Sequence, residues 1–259
     1  MTDSNQSIDV DALVFDAYGT LFDVHSLTAL AEELVPGRGP ALSQLWRAKQ
    51  LEYSWLGSLM SAQGRPKREL LPPGGKARSA KGAHITSAAL PRADFAAVTA
   101  AALDYALEVL GIGLGAGERG RLREAYLTLA PFPDAAPTLA LLAPRPRWIL
   151  SNGTLGMLLP LVHHAGFDGL VDGVLSVDAA GIYKPSPRVY RLAVDQLQLP
   201  AERIGFVSSN CWDAIGAKAF GFATFWINRA NAPVDRHGPA PDRVITTLAE
   251  LPPLLAWSG

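Results

Sequence analysis

The residues with the clearest capacity for chemistry stand at the ends of short apolar runs. Asp16 follows one such run, and polar residues end two others, at 147–152 and 203–210. Lys184 precedes a proline-containing segment that leads into a predicted helix. If the runs are neighbouring parallel strands, their carboxyl ends share one edge of a sheet, where ligands bind. That edge would then hold a carboxylate, hydroxyls, amides and an ammonium group.

Asp16 has the setting of a covalent nucleophile, because its carboxylate stands at the rim of a rigid strand and Gly19 permits a tight turn just after it. The alternative is an aspartate that accepts hydrogen bonds from loop amides. A nearby ammonium group, that of Lys184, could keep Asp16 ionised and orient it. The alternative for Lys184 is a surface position. Pro185 and Pro187 favour a fixed loop and therefore the functional interpretation.

The elements that position these residues are predicted from apolar runs that alternate with helical patterns. Strands are expected at 10–16, 147–152, 203–210 and 222–227, with weaker candidates at 171–177 and 242–246. Helices are expected at 187–198, at 212–220 and at 154–165, where Pro160 should kink or break the run. This alternation predicts an α/β fold with a doubly wound parallel sheet.

Residues 25–132 differ, because they carry helical patterns and no buried-strand pattern. Helices are expected there at 26–35, 41–60, 95–110 and 117–130. We interpret 25–132 as a helical subdomain inserted after the first strand. Residues 1–24 and 133–259 then form the α/β core, and 132–137 is the expected return hinge.

A basic insert rich in glycine and proline, at about 61–92, interrupts the helical subdomain. Against one acidic residue, Glu69, it carries seven basic residues: Arg65, Lys67, Arg68, Lys76, Arg78, Lys81 and Arg92. Loops of this length are uncommon in compact domains. A solvated loop is the favoured interpretation, and an arm that binds an anion or a partner is the alternative.

The composition narrows the class of protein. Among 259 residues, 49% are hydrophobic and 18% are charged, a balance that favours a folded chain over a disordered one. The formal net charge of −1 gives no electrostatic basis for binding nucleic acid or an anionic membrane. Cys211 is the one cysteine, so no disulfide forms within the chain. The N-terminus is polar and no apolar run is long enough to span a bilayer, so a cytoplasmic location is expected.

The motifs, taken in order, resemble those of the haloacid dehalogenase superfamily, and more narrowly those of the L-2-haloacid dehalogenases. The resemblance is carried by Asp16–Asp23, Ser151–Gly153, Lys184-Pro185 and Ser208–Asp213, and is strengthened by the helical stretches 45–56 and 94–107. It covers nearly the whole chain except 1–9 and about 61–92. It implies a haloacid dehalogenase-like core with an inserted helical cap, and a homodimer.

Most members of this superfamily are magnesium phosphatases, and the sequence departs from their pattern. Tyr18 stands where the phosphatases carry a second aspartate, which acts as a general acid. Ser209 and Asn210 stand in a region of acidic metal ligands, where only Asp213 is acidic. Mg²⁺ usually binds one or two carboxylates in an octahedral shell. Halide leaves without protonation or a metal, so the departures favour dehalogenation with no metal and no other cofactor.

The resemblance also implies a mechanism. Asp16 attacks the α-carbon of an (S)-2-haloacid, halide leaves toward Arg47, and water hydrolyses the resulting ester to an (R)-2-hydroxyacid. Asp213 is the candidate to activate the water, with Lys184 as its rival. Positioning roles are implied for Thr20, Ser208 and Asn210, and binding of the substrate carboxylate for Ser151 and Asn152. The other expected contacts are the pocket residues Tyr18, Leu51, Phe95 and Trp212, and Tyr190, which would support Lys184.

Two other functions remain open at this point. One is a Mg²⁺-dependent phosphatase with unusual motifs, and the other is an inactive relative that binds an acid or a partner through the basic insert. Ala48 follows Arg47 where the family commonly has glutamine, which implies a wider halide site. A G-x-G-x-x-G pattern at 115–120 follows a helical stretch rather than a strand, so we interpret it as a cap loop and not a dinucleotide site.

Overall fold

A six-stranded parallel sheet forms the centre of the molecule in a computed structural model that describes residues 7–61 and 92–256. The strands are β1 (Ala12–Phe15), β2 (Arg147–Ser151), β3 (Gly173–Ser176), β4 (Ile204–Ser208), β5 (Ala223–Ile227) and β6 (Arg243–Ile245). Neighbouring strands all pair in parallel, in the order β3-β2-β1-β4-β5-β6. The predicted doubly wound sheet is confirmed, including both weaker strand candidates.

β1 lies in the middle of this sheet, between β2 and β4. Every residue of β1 and β4 is buried, as nearly continuous apolar runs require when both faces of a sheet are covered. The chain passes from β1 through β2 to β3 on one side and then crosses to β4 on the other. The boundary between β1 and β4 is therefore the topological switch point, where ligands bind beyond the carboxyl ends of strands. Asp16 directly follows β1, and Ser208 ends β4.

In the described part of the chain, the α-helices lie in the connections between successive strands. The part of the chain between β1 and β2 contains α1 (Leu27–Leu34), α2 (Gly39–Ser61), α3 (Phe95–Val109), α4 (Ala116–Glu124) and α5 (Ala135–Leu141). The later part contains α6 (Leu155–His164), α7 (Pro187–Leu197) and α8 (Cys211–Phe220). α2 packs against α1 and α3, and the indole Nε1 of Trp46 joins α2 to α3 by donating to the carbonyl oxygen of Thr99 at 2.8 Å.

Two chain segments connect α1–α4 to the rest of the molecule, and they lie side by side. The backbone N–H of Asp23 donates to the carbonyl oxygen of Ala130 at 2.8 Å. The N–H of Phe132 donates in return to the carbonyl oxygen of Leu21 at 2.9 Å. The chain therefore leaves and re-enters the sheet region at one place. The division into a core and an inserted subdomain stays a prediction.

Three local features differ from the sequence predictions. α6 continues through Pro160, so of the expected kink or break the break is wrong, and the kink stays a prediction. The loss of one backbone hydrogen bond is outweighed by the burial of Leu158 and Leu161. α5 was not predicted, and it includes the last residues of the expected hinge. Pro137 is compatible with this helix because it lies in the first turn, where its missing N–H has no helical partner to lose. The helix expected at 117–130 ends at Glu124 and is followed by a 3₁₀ turn.

Most of the basic insert, residues 62–91, lies outside the described residues. Arg92, at its end, forms an ion pair with Asp178, and its guanidinium lies 4.3 Å from the ring centroid of Tyr183. Within residues 7–61 and 92–256, no helix combines the length and the hydropathy needed to cross a membrane.

Candidate active site

The loop after β1 shapes the centre of the site. Three successive backbone N–H groups, those of residues 20–22, donate to the carbonyl oxygen of Ala17, so the chain turns back at once. Gly19 makes this turn with φ of +87°, and a Cβ there would lie 2.9 Å from the hydroxyl of Ser209. Both the positive φ and the close approach favour glycine. The turn brings Thr20 back to the end of β1.

The carboxylate of Asp16 is held from two sides. Its Oδ1 accepts a hydrogen bond from Lys184 Nζ at 3.0 Å. Its Oδ2 accepts from Thr20 Oγ1 at 3.2 Å and from Asn210 Nδ2 at 3.0 Å. The residue is 5% exposed, so these contacts replace most of its water. Oδ1 carries fewer hydrogen bonds than Oδ2 from the part of the chain that the structure describes, and so keeps more of its lone-pair capacity.

Lys184 lies between two carboxylates, with Nζ also donating to Asp213 Oδ2 at 2.8 Å. The side chain is 1% exposed. Burial alone would lower the pKa of Lys184, but the charges of Asp16 and Asp213 and their hydrogen bonds outweigh it and raise the pKa. The ammonium is therefore charged near neutral pH and orients both carboxylates.

Asp213, near the start of α8, is the most deeply buried acid of the site. It is fully buried, and its Oδ2 also accepts from Ser208 Oγ at 3.2 Å. Burial and the charge of Asp16 raise the pKa of Asp213 to about 6, although the Lys184 ammonium opposes the rise. A carboxylate with a pKa near the working pH is suited to general base catalysis.

Tyr190 lies behind Asp213, and this corrects its expected role. Its hydroxyl donates to Asp213 Oδ1 at 2.7 Å, and the side chain is fully buried against the rings of Phe206 and Phe222. A hydroxyl in this place orients Asp213. It is not placed to contact substrate, and any effect on Lys184 passes through Asp213.

The two polar residues that end the β2 region hold the backbone of the site. Ser151 is fully buried, and its Oγ accepts from the N–H of Gly153 at 3.2 Å. Asn152 Oδ1 accepts from the backbone N–H of Lys184 at 3.1 Å, which ties the Lys184 loop to β2. Their expected binding of a substrate carboxylate stays a prediction.

Aromatic rings cover the site from the side of the helices. Tyr18 stacks on Phe95 with ring centroids 5.7 Å apart, and Tyr126 meets Tyr18 edge to face. The Tyr18 hydroxyl is buried and has no hydrogen-bond partner among the described residues. Burial raises the pKa of Tyr18, so the hydroxyl is a neutral donor. Trp212 meets Trp55 of α2 at 5.3 Å between centroids.

Arg47 and Leu51 of α2 line a cavity of about 530 Å³ next to this centre. Gly19, Ser209 and Asn210 also line this cavity, so it reaches the loops that hold Asp16. The Arg47 guanidinium donates through Nη1 to Gln50 Oε1 at 2.7 Å. A cavity with a cation at its wall can accept a small anion.

The sequence predictions missed several polar residues that support the site. Gln50 contacts Arg47, and Thr99 in turn contacts Gln50. The backbone N–H of Ser209 donates to Thr20 Oγ1 at 2.8 Å. The one available signal was the position of Gln50, one helical turn after both Trp46 and Arg47 on the predicted helix.

The donor set does not fit a magnesium ion. The ammonium of Lys184 occupies the space between Asp16 and Asp213, at 3.0 and 2.8 Å, where a cation would have to share both carboxylates. Tyr18 and Asn210 add no carboxylate. In the described part of the chain, no group of three or more histidine, cysteine, aspartate or glutamate side chains has the arrangement of a metal site. His163, for example, pairs with Asp168 at the surface.

Comparisons with known proteins agree with this geometry. Residues 10–221 match the family model of haloacid dehalogenase-like hydrolases. An (S)-2-haloacid dehalogenase of Pseudomonas sp. (strain YL) is 41% identical over 92% of this chain and 91% of its own. A haloacetate dehalogenase H-2 of Moraxella sp. (strain B) is 37% identical over 95% of this chain and 98% of its own.

A solved structure with a covalent ligand is also similar. It is that of the L-2-haloacid dehalogenase from Xanthobacter autotrophicus with chloropropionic acid covalently bound. It is 38% identical, matches with a TM-score of 0.78, and covers 95% of this chain and 98% of that one.

Proposed function

From the premise that this chain belongs to the haloacid dehalogenase-like hydrolases, we propose that it is a hydrolytic dehalogenase that converts (S)-2-haloacids to (R)-2-hydroxyacids. The observation that carries the proposal is the buried carboxylate of Asp16 at the switch point, fixed by Lys184 and by Asn210, which lines the same cavity as Arg47. Tyr18, in place of a second aspartate, supplies no acid for a phosphate leaving group.

The first step is displacement at the α-carbon. Oδ1 of Asp16, the oxygen with fewer hydrogen bonds, forms a bond to the α-carbon while the carbon–halogen bond breaks on the opposite side. The electron pair of that bond leaves with the halide, toward the positive charge of Arg47. Attack from the rear inverts the α-carbon. The product of this step is an ester of Asp16.

The second step is hydrolysis of the ester. Water attacks Cγ of Asp16 and gives a proton to Asp213, and negative charge develops on Oδ2. Thr20 and Asn210 already donate to Oδ2 and stabilise that charge without rearranging. The Cγ–Oδ1 bond then breaks, and Oδ1 takes the proton held by Asp213 and leaves with the product as its hydroxyl oxygen. The second proton of the water is released to solvent, and the carboxylate is restored with one oxygen from water.

Substrate contacts follow from the surrounding groups. We assign the substrate carboxylate to Ser151 and Asn152 at the end of β2, with the buried Tyr18 hydroxyl as a further donor. Leu51, Phe95 and Trp212 supply apolar surface for the carbon chain. Ser208 and Tyr190 act one step away, by orienting Asp213.

The test is halide release. Protein treated with EDTA is incubated with (S)- and (R)-2-chloropropionate and with fluoroacetate, and free halide is followed by ion chromatography. We expect chloride and (R)-lactate from the (S) acid alone. Fluoride release would extend the substrates to the smallest halogen. Release of no halide, with hydrolysis of p-nitrophenyl phosphate that depends on Mg²⁺, would replace the proposal with a phosphatase. Binding of haloacids without turnover would indicate an inactive relative.

We also propose a homodimer. Large apolar side chains are exposed near the ends of α2 and α3, with Leu59 68% and Val109 57% exposed, and burial against a second copy would stabilise them. Light scattering after size exclusion should give twice the chain mass, and a monomer at micromolar concentration would contradict it. The cytoplasmic location stays a prediction.

A further inference from the structure

We propose that Gln50 is a positioning residue that holds the Arg47 guanidinium for the departing halide while leaving its positive charge uncompensated. This inference rests on the proposed dehalogenase function. Gln50 lies on α2, one turn after Arg47, and is fully buried.

A chain of hydrogen bonds fixes which way the Gln50 amide points. The Thr99 hydroxyl donates its one proton to the carbonyl oxygen of Phe95 at 2.6 Å. Thr99 Oγ1 can then only accept, and it accepts from Gln50 Nε2 at 2.7 Å. The amide oxygen of Gln50 is therefore turned to Arg47, whose Nη1 donates to it at 2.7 Å. The orientation of Arg47 is set from α3.

The neutrality of Gln50 matters as much as its geometry. A carboxylate at this position would pair with the guanidinium and cancel the charge that attracts halide. Within residues 7–61 and 92–256, no carboxylate lies within ion-pair distance of Arg47. Gln50 is fully buried, and one turn before it on α2 Trp46 donates to the Thr99 carbonyl oxygen. A neutral acceptor thus holds a cation whose charge stays available to a small anion.

The first experiment compares Gln50→Glu with a matched control, Gln44→Glu, which adds the same charge at an exposed position of the same helix. The measured quantity is kcat/KM for (S)-2-chloropropionate and (S)-2-bromopropionate. We expect Gln50→Glu to lose on the order of 10² with the chloro substrate, as for loss of a charge-stabilising group. The loss should be smaller with the bromo substrate, whose leaving group needs less stabilisation. Gln44→Glu should stay near wild type.

A second measurement reads halide binding without turnover. Broadening of the chloride NMR line by the protein reports bound halide, and the part abolished in Arg47→Ala belongs to this site. We expect Gln50→Glu to lose that part and Gln44→Glu to keep it. If Gln50→Glu fails to fold, Gln50→Met, which is neutral and lacks the acceptor, should still lose more kcat/KM with the chloro than with the bromo substrate.

The outcomes separate the two proposals. No halide release by the wild type would remove the dehalogenase function itself. Halide release by the wild type, with chloride binding and leaving-group ratios unchanged in Gln50→Glu, would overturn the role of Gln50 alone. Equal losses with both substrates, with chloride binding retained, would mean that Gln50 only supports the packing of α2, and would also overturn it.

Discussion

At the scale of single residues, two buried carboxylates share one ammonium. Asp16, Lys184 and Asp213 are 5%, 1% and 0% exposed, and within residues 7–61 and 92–256 Lys184 is the one cation paired with the two acids, so one negative charge has no ion-pair partner there. Hydrogen bonds from Thr20 and Asn210 to Asp16, and from Ser208 and Tyr190 to Asp213, carry the remainder of the stabilisation. The two acids therefore have different surroundings and different chemistry.

Removing the nucleophile should abolish turnover. In Asp16→Ala we expect no halide release above background, because no ester can form, and a circular dichroism spectrum like that of the wild type. In the wild type, a single turnover with excess enzyme in water labelled with heavy oxygen should give unlabelled product, since the hydroxyl oxygen comes from Asp16. Label in the product of that first turnover would mean that water attacks the α-carbon directly.

Neutralising Asp213 should separate activity from stability. In Asp213→Asn we expect kcat to fall by about 10² or more, as for loss of a general base. The free energy of unfolding near neutral pH should be unchanged or higher, because the uncompensated buried charge is gone. Activity close to wild type would mean that Asp213 is not the general base. Urea denaturation and halide release measure the two quantities.

The raised pKa of Asp213 makes both the free energy of unfolding and the activity depend on pH. Its folded-state pKa of about 6 lies above the ordinary 3.8, so between these values the folded protein holds a proton that the unfolded chain has released. The free energy of unfolding from this group therefore falls as the pH rises from about 3.8 to about 6. The activity of the wild type should rise over the upper part of the same range.

The sequence could identify Asp16, Lys184 and Asp213 because they stand at strand ends and in ordered motifs. It also pointed to Thr20, Ser208 and Asn210, which donate to Asp16 or Asp213, but not to every contact within the site. Tyr190 was expected to support Lys184 and instead contacts Asp213, because side-chain contacts depend on how α7 packs against α8. Gln50 was missed for the same reason, since its contacts depend on the packing of α2 against α3.

At the scale of elements, α2 connects the helices to the loops of the sheet. Arg47, Gln50 and Leu51 share one face with Trp55 and Ser58, since residues three or four apart lie on the same side of a helix. At the far end of that face, the Ser58 hydroxyl oxygen accepts from the backbone N–H of Tyr183, next to Lys184. The ring of Trp55 packs edge to face against that of Trp212. A shift of α2 would therefore move Arg47 relative to Asp16.

The packing of α2 on α3 should depend on one indole. We expect Trp46→Phe to lower the free energy of unfolding by about 1–3 kcal/mol, because it loses a buried hydrogen bond and leaves a small void. The matched control is Trp55→Phe, whose Nε1 has no partner among the described residues, and it should cost less. Urea denaturation measures both. Equal losses would mean that the bond from Trp46 to Thr99 adds nothing.

Element types could largely be predicted, because buried parallel strands are short apolar runs and amphipathic helices repeat every three to four residues. α5 escaped prediction, since seven residues with a proline carry too little periodicity. α6 could not be predicted to pass through Pro160, because its continuity depends on burial against neighbouring elements rather than on local preference.

At the scale of the whole molecule, the order of the strands creates the site. The alternation of strands and helices predicts a parallel sheet but not which strands are neighbours. The observed order puts β1 beside β4, so that Asp16 meets residues 208–213 almost two hundred positions later in the chain. Once the order of the strands is known, the site can be located at the switch point, beyond the carboxyl ends of β1 and β4.

The paired segments at Leu21–Asp23 and Ala130–Phe132 have a consequence for how such a protein can change. Because these two segments are hydrogen-bonded neighbours, the chain that contains α1–α4 begins and ends at the same place beside the sheet. The entropic cost of closing a loop grows only with the logarithm of its length, so lengthening the chain between these segments would change the stability of the sheet very little. The helices of a relative could therefore replace α1–α4 at this one junction. The exchange would change the helix that carries Arg47 and leave Asp16 as it is.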